Sequence, residues 1–255
     1  MTFIDLKKHL WLAAIFIVVL PLFCWLQWQP RVWFDNQLAA NGLAGKISYA
    51  DVGKSFPGFQ LSGARIALPD GKTIAFDEIL LRPAIFSLLS GTPALFIRAN
   101  AEGMDAESVI NLNNDALNLS DVAIIADTSK LARFDSRLLL LGLQGEMSLN
   151  GDMRLQADNG LPLDGVMKLV WNNPSSILLP AGPESIRLEI NIAEAEGANM
   201  WNWQLSSEPE GMGGKGKVTA TSADIQQWLL RGNIRLAKDQ PDMVLSGTLG
   251  APHWQ

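Results

Sequence analysis

The chain has 255 residues, of which 48% are apolar and 18% charged, so it can bury a core and wholesale disorder is excluded. The formal net charge is −6; residues 1–30 hold Asp5, Lys7 and Lys8 and sum to +1, which leaves −7 on residues 31–255. So acidic a body argues against nucleic acid as a partner and against electrostatic adhesion to anionic head groups, while a single cysteine, Cys24, excludes an intramolecular disulfide and a thiolate metal cluster.

Leu10 to Leu26 is an uninterrupted apolar run that extends to Trp28 across one glutamine. Residues 10–28 as a helix cover about 28 Å, close to the hydrocarbon thickness of a bilayer. The predicted anchor therefore comprises Leu10, Trp11, Leu12, Ile15, Phe16, Ile17, Val18, Val19, Leu20, Leu22, Phe23, Trp25 and Leu26. Lys7 and Lys8 precede it and set the topology, keeping residues 1–9 in the cytoplasm. Trp25, Trp28 and Trp33 gather at the far end, where indole rings favour the membrane–water interface. Pro21 is tolerated inside a membrane span. The run ends in bulky residues with no small-residue cleavage site, and Leu22 and Phe23 are too large for a lipoprotein signal at Cys24. An uncleaved anchor is the expectation.

A helical segment, Arg31 to Leu43, follows and is expected to end at Gly45. From there the period changes to two, the habit of strands with one buried face. Strands are predicted at Lys46–Val52, Phe59–Leu68, Thr73–Leu81, Ala94–Glu102 and Ser108–Leu112. The longest alternation runs from Leu143 to Gln156, with Leu, Gly or Met at odd positions and polar residues at even ones. Asn150-Gly151 inside it invites a hairpin, but a hairpin would place Asp152 on the apolar face. One long strand of roughly 45 Å is predicted instead. Leu163–Trp171 and Lys215–Thr221 read as further strands. So do Ile186, Leu188, Ile190 and Ile192 against Arg187, Glu189 and Asn191, and Trp201, Trp203 and Leu205 against Asn202 and Gln204. Ile234 and Leu236 alternate with Asn233 and Arg235, and Met243, Leu245 and Leu249 share one parity. Short helices are predicted at Ala84–Ser90 and Thr128–Phe134, and Asp224–Leu230 fits either state. Turns are read at Pro69-Asp70-Gly71, Asn113-Asn114-Asp115 and Gly211–Gly214.

No constellation for catalysis emerges. His9 and His253 fall on opposite sides of the predicted span, so no triad or histidine zinc site assembles from them. Gly211 to Lys217 has the spacing of a phosphate-binding loop, but Val218 replaces the magnesium-ligating hydroxyl and a strand follows where a helix is required. Asp77-Glu78 and Glu194/Glu196 lie in or beside strands as solvated carboxylates, and Asn111–Asp115 lacks the acidic spacing of a calcium loop. The tryptophans either line a groove or form core. No catalytic residue, cofactor or metal site is predicted.

Six segments carry a resemblance. They are Phe59-Gln-Leu-Ser-Gly63-Ala-Arg-Ile-Ala-Leu68, Leu141-Gly-Leu-Gln-Gly145-Glu-Met-Ser-Leu, Trp201-Asn-Trp203-Gln-Leu, Gly216-Lys-Val-Thr-Ala, Gly232-Asn-Ile-Arg-Leu and Leu245-Ser-Gly247-Thr-Leu. With the preceding span, this layout resembles the general secretion pathway protein N family, the N component of the type II secretion system of Gram-negative bacteria. The resemblance implies a non-enzymatic inner-membrane protein whose periplasmic domain assists assembly of the secretion machine, with other secretion proteins as partners. AsmA-like proteins share the same grammar, and imply the alternative of a periplasmic lipid-binding or lipid-transfer protein with an apolar groove. The expected fold is mainly β: one N-terminal transmembrane helix at 10–28, then an elongated, curved, mostly antiparallel sheet domain over 29–255 with a few short helices. A scaffold needs its apolar face closed, whereas a lipid carrier needs it open.

Overall fold

A computed structural model describes residues 25–67, 73–84, 91–113, 116–133, 136–156, 161–177, 182–195, 198–220 and 225–254, with Phe23, Ser87 and Leu179. The chain divides into two compact units, Met1–Ile47 and Ser48–Gln255.

In the first unit, Phe23 and residues 25–27 are helical, and helix α1 spans Pro30–Ala40. Proline opens α1 without cost because the first helical N–H has no partner to lose. The helix ends earlier than the sequence suggested. Leu43 N–H donates to Leu38 O at 2.8 Å and Gly42 N–H to Ala39 O at 3.2 Å, a pattern that closes the last turn around Gly42 at φ 66°. Gly42, and not Gly45, is therefore the terminator: the residue just past the cap must be left-handed, and glycine adopts that backbone freely.

The second unit is β throughout. After β1 (Ile47–Ser48), at the boundary, come β2 (Asp51–Ser55), β3 (Gly58–Ala67), β4 (Thr73–Pro83), β5 (Ala94–Ala101) and β6 (Met104–Asn113). Next are β7 (Ala116–Asp127), β8 (Gln144–Gln156), β9 (Pro162–Ser175), β10 (Ser185–Ala195) and β11 (Ala198–Glu208). The last are β12 (Gly213–Thr219), β13 (Leu229–Arg235), β14 (Met243–Thr248) and β15 (Ala251–Trp254). From β3 to β15 each strand pairs antiparallel with its neighbour in sequence, so the sheet is a meander with two open ends. Besides helical Ser87, three short 3-10 segments, Thr128–Arg133, Ser136–Leu141 and Ile225–Gln227, are the non-strand elements of this unit among the described residues. No second layer covers the sheet there.

Most predicted strands are present, commonly longer than expected. The run predicted at Leu143–Gln156 is one strand, β8, which starts at Gln144 and runs through Asn150-Gly151 without turning. Thr128–Phe134 is a 3-10 segment ending at Arg133, and Asp224–Leu230 divides between a 3-10 turn and the start of β13. Two strands went unforeseen, β7 and β15. In β7 the apolar residues change parity, from Leu117 and Leu119 to Val122 and Ile124. A bulge causes the change: Asp121 has φ 52°, and its N–H donates to the Asp152 carboxylate of β8 at 2.9 Å. The predicted helix at 84–90, the turn at 69–71 and most of the membrane run lie outside the described residues, Ser87 being helical.

Register places the apolar residues in rows across one face. Met147, Trp171 and Ile186 stand opposite one another; Leu149, Leu169, Leu188 and Leu205 form the next row. Met167, Ile190 and Trp203 form a third, and Ile192, Trp201, Val218 and Leu230 a fourth. Their polar neighbours in sequence face the other way. The buried core is confined to patches on this apolar face.

Two polar residues are buried near strand ends, Thr128 and, at the start of β10, Ser185. Thr128 is 1% exposed, and its Oγ1 donates to Gly145 O at 2.9 Å, tying the first 3-10 segment to β8. Thr128→Val keeps the shape and removes the donor, leaving the Gly145 carbonyl without this partner. The expected loss is about 1–2 kcal/mol, read as a lower urea midpoint with an unchanged slope.

Candidate functional site

The apolar face carries an open slot of about 340 Å³ over β10 to β14, lined by Leu188, Ile190, Trp203, Leu205, Ile234 and Leu245 among others. Among the described residues, every lining residue is apolar or aromatic.

Two plugs bound the slot. The first is Trp228, 0% exposed, packed with Val218, Leu230 and Leu245. Its ring meets Trp201 edge-on, with centroids 4.8 Å apart and planes at 82°. The backbone holds this plug in place: Leu249 N–H donates to Trp228 O at 3.0 Å, and Gly250 N–H to Gln226 O at 2.8 Å. The second plug is Met212, delivered by the turn between β11 and β12 onto Trp171 and Ile186. Ser207 anchors that turn, its Oγ accepting from Met212 N–H at 2.9 Å and donating to Pro209 O at 3.0 Å.

Between the plugs, Ile186 and Ile192 of β10 are buried while Leu188 and Ile190 are only partly so. The open floor on β10 is thus two same-face residues, within the roughly 20 Å that separate Ile186 from Ile192. Along the row, β10 to β14 is four strand spacings, or about 19 Å, against about 15 Å for the hydrocarbon of one bilayer leaflet.

Trp203 forms the floor by lying on glycines. It stands opposite Gly216, which stands opposite Gly232. A Cβ on Gly216 would come within 2.5 Å of the Trp203 ring, and one on Gly232 within 2.4 Å. The glycine-rich segment with phosphate-loop spacing is therefore a turn and a strand, as its alternation indicated, and its glycines make room for an indole. The indole N–H groups of Trp201 and Trp203 are buried with no hydrogen-bond partner.

The sequence's other candidates are scattered. Of the predicted anchor, Phe23, Trp25 and Leu26 are described; Phe23 and Leu26 are exposed, at 56% and 64%. The remaining anchor residues, Leu10 to Leu22, lie outside the described residues with Lys7, Lys8 and His9. Among the described residues no helix is long and apolar enough to cross a membrane. Trp25, Trp28 and Trp33 do gather, with ring centroids 5.2 and 5.8 Å apart along the series. Asp77 and Glu78 are both exposed on β4, and His253 is exposed on β15. Sequence reasoning raised the tryptophans as a groove lining, and the structure brings Trp201 and Trp203 into one. Nothing in the sequence signalled Trp228 or Met212 as plugs, because neither belongs to an alternating run.

No protein-family model matches the chain, and no curated protein or solved structure is significantly similar to it.

Proposed function

We propose that this chain is a non-enzymatic lipid-binding protein, tethered to the inner membrane by residues 10–28, whose export-side sheet holds an acyl chain in the slot between β10 and β14. The observation that carries the reading is a slot that is open and, among the described residues, lined wholly by apolar and aromatic side chains. An extended peptide would bring N–H and C=O groups into it at roughly 2–7 kcal/mol for each one left unpaired, whereas a hydrocarbon chain brings none. This is the AsmA-like alternative of the two readings that the sequence leaves open.

Assembly of a type II secretion system is the second reading, favoured by the two open sheet ends, where a partner strand could add. Both ends are blunt, however. β15 spans Ala251–Trp254 and includes Pro252, and β2 spans Asp51–Ser55 with exposed Lys54 in it.

A photoactivatable fatty acid, incubated with the full chain and irradiated, separates the two. The lipid reading expects adducts on peptides covering 186–192 and 201–205; adducts confined to the N-terminal segment would sink it.

A further inference from the structure

The opposite face of the same strands is charged in an unusual way. Elsewhere on that face cations meet carboxylates across the strands: Arg98 with Asp105 at 3.8 Å, Lys168 with Glu189 at 3.2 Å and Arg187 with Glu208 at 2.8 Å. On β12 and β13, Lys215, Lys217, Arg231 and Arg235 make no ion pair, and the first three are exposed. Lys217 stands directly opposite Arg231, a like-charge pairing that destabilises a sheet unless something anionic covers it. The flanking positions on this face are neutral: Asn202 and Gln204 on β11, Val244 and Ser246 on β14. His253 of β15 stands opposite Ser246 on this face. A hollow of about 420 Å³ opens between Lys215 and Arg235, with Asp242 the one carboxylate in its lining and the Arg235 Nε buried without a partner. A net charge of −6 averages over the chain and hides this segregation.

We propose that the outer face of β12 and β13 docks on the anionic phospholipid head groups of a bilayer. Charge complementarity selects an anionic surface. Two lysines and an arginine spread over adjacent strands match an array of separate phosphates better than one ion, since each ammonium acts as a point charge. The slot lies on the reverse of these strands, so docking by the charged face leaves the slot uncovered by the bilayer. The choice of lipid as the anion rests on the lipid-binding reading; the docking itself is measured independently of acyl retention.

The test uses the full chain carried in phosphatidylcholine nanodiscs and sedimented with vesicles of phosphatidylcholine, with or without about 30 mol % phosphatidylglycerol. Binding is expected with phosphatidylglycerol only, with release at about 0.5 M salt. Lys215→Gln, Lys217→Gln and Arg231→Gln together should weaken it at least about tenfold while acyl retention is unchanged. Lys168→Gln with Arg187→Gln, on the same face, should leave it as it was. Equal binding to neutral vesicles, or equal weakening by the second pair, would overturn the proposal. So would displacement by millimolar inorganic phosphate at constant ionic strength, which would mark an isolated phosphate site. If acyl retention is lost and vesicle docking persists, the slot reading fails and the docking surface stands.

Discussion

Trp228→Ala is expected to cost about 3–5 kcal/mol, the usual range for emptying a fully buried tryptophan site. Trp228 is 0% exposed and packs on Val218, Leu230 and Leu245, while Leu249 and Gly250 hold its segment from behind through backbone bonds. Those bonds keep the backbone from collapsing into the hole, so the cavity term persists. Set against about 5–15 kcal/mol for a typical domain, such a loss is a large fraction of the whole. Urea unfolding followed by far-ultraviolet circular dichroism measures it. The edge-on contact with Trp201 should vanish from the near-ultraviolet spectrum at the same time. A cost below about 1 kcal/mol would mean that the plug is not packed as described.

Gly216→Val is expected to be nearly as damaging for a different reason. Its Cβ would lie 2.2 Å from the Arg231 carbonyl oxygen and 2.5 Å from the Trp203 ring. The ring can tilt away, but the carbonyl belongs to the β12–β13 ladder and cannot move without breaking it. Overpacking of this kind costs about 1–3 kcal/mol, and an immovable backbone atom places this case at the upper end. Tilting also lifts the indole into the slot. Reduced stability, red-shifted tryptophan emission and weaker acyl retention are expected together. Unchanged stability would contradict the account of Trp203 resting on bare backbone.

The strands were legible because the sheet has one apolar face: a period of two then marks each strand and its phase, as along β8. β7 was lost because the bulge at Asp121 shifts its apolar residues from odd to even positions within one strand. β15 was lost because Ala251-Pro252-His253-Trp254 has no strand signal of its own and exists by pairing with β14. The slot was legible only in part. Periodicity placed Trp201 and Trp203 on the inner face, but the glycine pavement under Trp203 depends on the register of three strands, which no local pattern encodes. Whether the apolar face is covered depends on what packs over it, and that lies in nonperiodic turns such as those bearing Met212 and Trp228.

The most direct measurement is the lipid content of the full chain purified from cells that express it, quantified by mass spectrometry beside a Leu188→Glu/Ile190→Glu variant. Neither residue is fully buried, so the variant should fold, yet its carboxylates would have to be desolvated by any acyl chain entering the slot. The account predicts about one lipid per chain in the parent and at least about tenfold less in the variant. Equal lipid in both, or no lipid alongside a secretion component recovered in equal amount, would contradict it.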